Sequence, residues 1–296
     1  MYNMCDMDDM DVIVTGTSAS AAGTSTASTS SAGTRATSAG ITTVSIITIS
    51  QYSRMECLRN LSDLIKLQLY ENIIEWVIVE GSPTKIDAFV SAQNVESIRS
   101  SAKFKFPIVY VPYTDDENVK LSDLRNTGNA RCKGDIIVCM DDDDYYPPTR
   151  ISHAVYQLNK SSALIAGCSN AYIYFFLSNH FFQFTSFGKG HSTNNCMAYK
   201  RAYLQKHAHA PHLSRGEEKS FTNDFSEPMV QLDPIKTIVI SGHSTNTVDK
   251  TLICQNLANH KMVKELDAAK EILDYIPLPI LLRMEKIFET YVVIKI

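Results

Sequence analysis

The chain has 296 residues, 44% hydrophobic and 20% charged, which reads as a globular protein with room for one sizeable core. Its net charge is −4; four acids and one base lie in the first 40 residues, so the rest carries 27 bases against 28 acids. That balance excludes a basic stripe for bare nucleic acid, and no run approaches the about 18 apolar residues of a membrane span.

Residues 1–40 are acidic and then built almost wholly of Thr, Ser, Ala and Gly. Such a stretch has no apolar area to offset ordering entropy and is expected to be a disordered leader. Order is expected from Ile41. TVSIITI (43–49) is a β-branched strand, and Met55, Leu58, Leu61, Ile65 and Leu69 mark one face of a helix over 54–70. Strands follow at 74–80, 107–112 and 135–140, with helices between them at 84–101 and 120–133. Alternating strand and helix predicts a parallel sheet with crossover helices, a Rossmann-like half.

After Pro148 a helix (148–160) leads to short aromatic-rich runs at 163–168, 171–177, 181–187 and 195–200, which suit hairpins or a mixed sheet. Most of Phe175, Phe176, Phe181, Phe182, Phe184 and Phe187 are expected to pack, with one or two facing a cleft. Met262, Leu266, Ala269 and Leu273 predict one tail helix, and Leu281, Met284, Phe288 and Tyr291 a second. The division expected is a 1–40 leader, a 41–250 domain and 251–296 helices packed on it.

Seven cysteines, an odd count with no C-x-x-C pair, fit neither a zinc ribbon nor a disulfide framework. With an acidic start in place of a basic secretory signal, they predict a cytoplasmic protein without a transmembrane segment.

Asp141, Asp142, Asp143 and Asp144 directly follow the apolar run DIIVCM. Four like charges there are costly unless hydrated or paired. Ligand sites of α/β sheets lie at the carboxyl ends of strands. In an extended segment Asp141 and Asp143 point the same way and can present oxygens to one hard cation, Mn²⁺ or Mg²⁺. The plainer alternative is a solvated acidic turn.

The stretch LSDLRNTGNARCKGDIIVCMDDDDYYPP (121–148) resembles the heart of a family 2 glycosyltransferase of GT-A type: an Arg-Asn-x-Gly helix, a Gly, an apolar strand and a D-x-D-D motif. VSIITIS (44–50), IEWVIVEGS (74–82), HSTNNCMAYKR (191–201), GEEKSF (216–221) and GHSTNT (242–247) extend the resemblance to about residues 41–250. The wording MDDDDYYPP is similar to enzymes of large DNA viruses and microbial eukaryotes; a viral source would make the expected cytoplasm that of a host.

The resemblance implies an α/β fold: a nucleotide-binding half with a mostly parallel central sheet, plus a smaller acceptor-side mixed sheet. It implies a metal-dependent, hexosyltransferase-like enzyme moving a sugar from a nucleotide sugar, a UDP-sugar by family habit. The acceptor would be a glycan, a protein or a small molecule. Asp141, Asp143 and His243 are implied for the metal; Ser50, Glu80, Arg125, Asp141 and Asp142 for the donor. The turn after Glu80 reads V-E-G-S, one acid fewer than the family's V-D-D-G-S. Glu218 aligns with the family's catalytic base and Glu217 with the acid before it.

The chemistry asks for these types: counter-charge on a diphosphate leaving group, from a cation and Arg125 or Lys133, and a base for the incoming hydroxyl. One base and no carboxylate nucleophile imply inversion. Other readings stay open. Glu217-Glu218 suits any helix N-terminus, and His243 any loop. His207, His209 and His212 lack a Cys or acid at zinc spacing. A nucleotide-sugar- or glycan-binding module without catalysis is the alternative function. A D-D-x-x-D prenyl synthase fails because Tyr145 stands in the last position, and no Gly-rich phosphate loop follows VSIITIS.

Overall fold

The computed structural model describes residues 41–82, 84–112, 119–243, 254 and 262–293. The leader 1–40, residues 244–247 of GHSTNT and nearly all of 244–261 lie outside the described residues.

Seven strands form the main sheet in the order β3-β2-β1-β4-β8-β5-β9. β1 (Val44–Ser50), β2 (Ile73–Glu80), β3 (Ile108–Val111) and β4 (Ile136–Cys139) run parallel, as crossover helices require. The helices are α1 (Met55–Lys66), α2 (Lys85–Ala102) and α3 (Leu121–Arg131). β1 is buried along nearly its whole length, which is why it reads as a continuous apolar run. Trp76 is fully buried in β2, and its Nε1 donates to Thr48 Oγ1 (3.0 Å).

β8 (Ala198–Lys200) lies antiparallel between β4 and β5 (Ile165–Gly167), with β9 (Met229–Gln231) on the edge. α4 (Arg150–Lys160) packs beneath this half. Four strands make the smaller mixed sheet, in the order β10 (Val239–Gly242), β6 (Tyr172–Phe175), β7 (His180–Phe184) and β11 (Val263–Leu266). Phe175, Phe176, Phe181, Phe182 and Phe184 are all buried.

The predicted tail helix through Met262, Leu266, Ala269 and Leu273 is corrected. Val263–Leu266 is strand β11, antiparallel to β7, and the helical part shrinks to one α turn, Ala268–Glu271, followed by a 3₁₀ turn, Ile272–Asp274. The helical spacing is present in the sequence, but pairing with an otherwise open sheet edge outweighs it. The second tail helix forms as expected, over Leu278–Val293, with Leu281, Met284, Phe288 and Tyr291 buried. Among the described residues no helix is long and apolar enough to cross a membrane, and the six described cysteines are buried.

Candidate active site

The carboxyl ends of β1, β2 and β4 converge, and the aspartate run emerges there. Met140 N–H donates to Ile47 O (3.0 Å) and Thr48 Oγ1 to Met140 O (2.7 Å), binding the end of β4 to β1. Beyond Met140 the chain does not stay extended: residues 142 and 143 form a turn. The expected same-side alternation of Asp141 and Asp143 therefore gives way, and each carboxylate meets a different partner.

Asp141 is gripped by Arg125, with Nη1 to Oδ1 at 3.2 Å and Nη2 to Oδ2 at 3.3 Å. The third guanidinium contact, Nε to Glu217 Oε1 (2.9 Å), joins residues 92 apart in the chain. Burial opposes the charge on Arg125, but Asp141 and Glu217 raise its pKa well above the ordinary value. α3 can carry Arg125 this close because Gly128 lets the helix lie on the sheet: a Cβ there would stand 2.5 Å from Ile47 Cδ1 and 3.0 Å from Val79 Cγ2. Asn126 exchanges two hydrogen bonds with the backbone of His209 (2.8 and 3.0 Å), fastening α3 to the segment before the acidic pair.

Asp142 is fully buried. Ser50 Oγ donates to its Oδ2 (2.6 Å) and Arg54 Nη1 to its Oδ1 (3.1 Å). Burial pushes its carboxyl up to about 7 against the pull of Arg54, and Asp143 adds to the rise. Asp143 Oδ2 accepts from Arg54 Nη1 (3.0 Å) and stands 3.0 Å from His243 Nε2. Asp144 accepts from Asn195 Nδ2 (2.6 Å) and Ser241 N–H (2.8 Å), tying the run to β10 and to the segment before β8.

A carboxylate oxygen and an imidazole nitrogen, as Asp143 and His243 offer, are a donor set that Mn²⁺ accepts. Among the described residues no three His, Cys, Asp or Glu side chains surround one point. A cation here would complete its shell with substrate phosphate and water, as Mg²⁺ and Mn²⁺ sites commonly do. The residues fit the group on that condition. Asp141 is paired with Arg125.

The acidic pair opens α5 (Glu217–Phe221), which follows Gly216 at φ +70°, a conformation that glycine enters without strain. Glu217 turns to Arg125. Glu218 turns the other way and accepts from Asn194 N–H (3.2 Å) in the HSTNNC segment. Burial, with Glu217 adding to it, pushes the Glu218 carboxyl up to about 7. Glu80 closes the far side: its carboxylate accepts from Ser82 N–H (2.6 Å) and Tyr110 OH (3.2 Å).

Lys133 belongs to the opposite end of the sheet. It precedes β4, with its N–H on Ser45 Oγ (3.2 Å), and is withdrawn as a counter-charge. The histidine trio is dispersed. His209 is buried and stacked on Phe221 (4.2 Å), His207 pairs with Glu227 (2.9 Å), and His212 is exposed. Sequence reasoning missed Arg54 and Phe288. Arg54 lies just past β1, where ligand-binding residues of α/β sheets gather, and that position was its available signal. Phe288 stacks on His243 (4.5 Å, 13° between planes) from the C-terminal helix, and only the folded chain brings the two together.

Residues 55–210 match the family described as glycosyl transferase family 2. Among solved structures, a mannosyltransferase from Pyrobaculum calidifontis in complex with GDP-Man and Mn²⁺ has a TM-score of 0.51 and 14% identity, covering 84% of this chain and 70% of that one. The 1–349 fragment of TarS from S. aureus has a TM-score of 0.49 and 16% identity, over 68% of this chain and 60% of that fragment. Glucosyl-3-phosphoglycerate synthase from Mycobacterium tuberculosis has a TM-score of 0.46 and 13% identity, over 75% and 81%. The likeness is one of fold, and this chain spans less than two thirds of the TarS fragment. No curated protein matches this sequence.

Proposed function

The chain belongs to glycosyl transferase family 2, and on that premise we propose that it transfers a sugar from a nucleoside-diphosphate sugar to an acceptor hydroxyl, with inversion. The observation that carries this reading is the Arg125 bridge, which joins the aspartate run at the end of β4 to the acidic pair of α5. In this reading the bridge holds a donor-binding group near Glu217, the neighbour of the base Glu218.

In this reading Asp143 and His243 hold a divalent cation, Mn²⁺ or Mg²⁺. When bound, the cation supplies charge neutralisation for the departing diphosphate. Ser50, Glu80, Asp141 and Asp142 face the nucleotide, and Arg125 keeps Asp141 in place. Glu218 takes the proton of the acceptor hydroxyl as that oxygen attacks the anomeric carbon. A carboxyl raised to about 7 is matched to this task near neutral pH. Glu217, committed to Arg125, positions the guanidinium between the two halves. UDP-sugars, by family habit, and GDP-sugars, since the Pyrobaculum enzyme is in complex with GDP-Man and Mn²⁺, are the donors to try first.

The test is a panel of UDP- and GDP-sugars with Mn²⁺ or Mg²⁺, read by thermal shift and by turnover, with NMR of the product anomer. Cation-dependent stabilisation, turnover lost in chelator and an inverted product are expected. Retention would overturn the single-displacement mechanism. Binding without turnover would favour a nucleotide-sugar-binding protein.

A further inference from the structure

Arg54 sits in the 3₁₀ turn Tyr52–Arg54, just past the carboxyl end of β1. One of its nitrogens, Nη1, serves two carboxylates: Asp142 Oδ1 at 3.1 Å and Asp143 Oδ2 at 3.0 Å. The Asp143 oxygen it uses is the same atom that stands 3.0 Å from His243 Nε2. A guanidinium nitrogen therefore lies on the oxygen that a cation held by Asp143 and His243 would need.

A divalent ion and a guanidinium nitrogen compete for that oxygen, and as like charges they repel. One must yield. The carboxylates are the anchored partners, since Ser50 holds Asp142 and His243, backed by Phe288, faces Asp143. Arg54 is the long, rotamer-rich partner, with its side chain 15% exposed against 0% for Asp142 and 6% for Asp143. A displaced guanidinium at a strand end has one partner of matching geometry to turn to, the phosphate oxygens of a donor, which its planar fork grips in two places.

We propose that Arg54 is a placeholder for the divalent cation: it neutralises Asp142 and Asp143 in the ligand-free protein, leaves Asp143 when the cation enters, and then grips the donor diphosphate. This rests on the nucleotide-sugar reading above and adds an order of events to it. Cation and nucleotide assist one another because a single side chain is handed from one to the other, and such coupling is reciprocal. Arg54 is thus a donor-binding residue whose removal moves two affinities in opposite directions.

The experiment titrates Mn²⁺ by the EPR signal of the free ion, with and without UDP or GDP, on wild type, Arg54→Gln and Arg54→Lys. Arg54→Gln should bind Mn²⁺ alone about 10-fold more tightly, having lost the competitor. It should bind the nucleoside diphosphate in the presence of Mn²⁺ about 10-fold more weakly, as loss of a charged phosphate contact does. Arg54→Lys keeps the charge without the fork: Mn²⁺ affinity stays near wild type and nucleotide affinity falls. If Arg54→Gln does not fold, as circular dichroism would show, the nucleotide arm of Arg54→Lys decides. Mn²⁺ affinity unchanged or weakened in Arg54→Gln, or nucleotide affinity unchanged in Arg54→Lys, overturns the proposal. If wild type takes up no Mn²⁺ even with nucleotide present, the cation-dependent reading falls with it. Wild-type uptake with unresponsive Arg54 variants would sink the placeholder alone.

Discussion

Two arginines hold the acids of this site, and they are mounted differently. Arg125 projects from the middle of an 11-residue helix pressed onto β1 and β2 at Gly128; its side chain is 5% exposed, and three of its nitrogens are engaged by Asp141 and Glu217. Arg54 stands in a short turn, and one nitrogen spans Asp142 and Asp143. The same residue type with the same charge is a fixed strut in one place and a movable counter-ion in the other. The scaffold sets that difference: Arg125 is mounted on a helix and engages its partners through three nitrogens, whereas Arg54 sits in a short turn at a strand end.

The strongest way to break the comparison is to remove the acid that Arg54 shares with His243. Asp143→Ala should abolish Mn²⁺-dependent nucleotide binding and transfer. The ligand-free melting temperature should fall only modestly: a buried contact to Arg54 is lost, but Arg54 keeps Asp142 and a like-charge contact disappears. Normal turnover, or activity that survives chelator, would show that the movable cluster is not the cation site.

On the Arg125 side, Glu218→Gln should keep nucleotide-sugar binding and lose transfer by about 10²-fold or more, the scale of general-base removal. Glu217→Gln should be milder on the rate and act on folding, because it weakens a buried ion pair whose loss costs about 3 kcal/mol. If Glu217→Gln proves the more damaging to catalysis, the two roles are exchanged. A base must be deprotonated to act, so kcat/KM should rise with pH through about 7 and level above it. The stability effect has the opposite sign. The folded carboxyl keeps a proton up to about 7 that the unfolded chain releases near the ordinary glutamate value of 4.5, so stability falls as pH rises between them. Denaturant titrations at pH 5 and pH 8 should show a smaller fall in Glu218→Gln.

A smaller effect is expected from Phe288→Ala. Losing the ring behind His243 should weaken Mn²⁺ binding about 10-fold, the lower range for loss of a ligand's outer partner. Phe288→Tyr, which keeps the ring, should restore it. Equal losses in both would mean that the C-terminal helix, and not the stacked ring, is what the site needs. The mildest change is Gly128→Ala, with a destabilisation of about 1–3 kcal/mol from overpacking. Lifting α3 should lower kcat a few-fold through Arg125 and leave Mn²⁺ affinity unchanged. A shift in Mn²⁺ affinity would show that the strut and the counter-ion are not independent.

The two halves of the molecule differed in how far they could be read. VSIITIS, IEWVIVE, PIVYVP and DIIVCM are apolar runs of strand length separated by helical periods, and they became β1 to β4 within a residue or two. In such a unit each strand's partner follows from right-handed crossovers, so local pattern and global topology agree. Beyond Pro148 no strand exceeds five residues and no regular alternation with long helices marks them out, so periodicity alone cannot separate strand from helix there. Val263–Leu266 shows this, since its strand state depends on pairing with β7, about 80 residues earlier.

The sequence by itself determined the residue types of the site and the strand ends that carry them: the aspartates after β4, Ser50 and Glu80 at the ends of β1 and β2, and the acidic pair after Gly216. Those follow from local hydrophobicity and from the rule that polar residues at a strand's carboxyl end face the ligand. Which acid answers to which cation was decided only by tertiary structure. A turn at residues 142–143 ended the alternation expected of an extended run, α3 brought Arg125 between Asp141 and Glu217, and the C-terminal helix set Phe288 behind His243. Charge pairing falls off over a few ångströms and depends on burial. It is therefore a property of distances between segments far apart in the chain, which no local pattern of residues encodes.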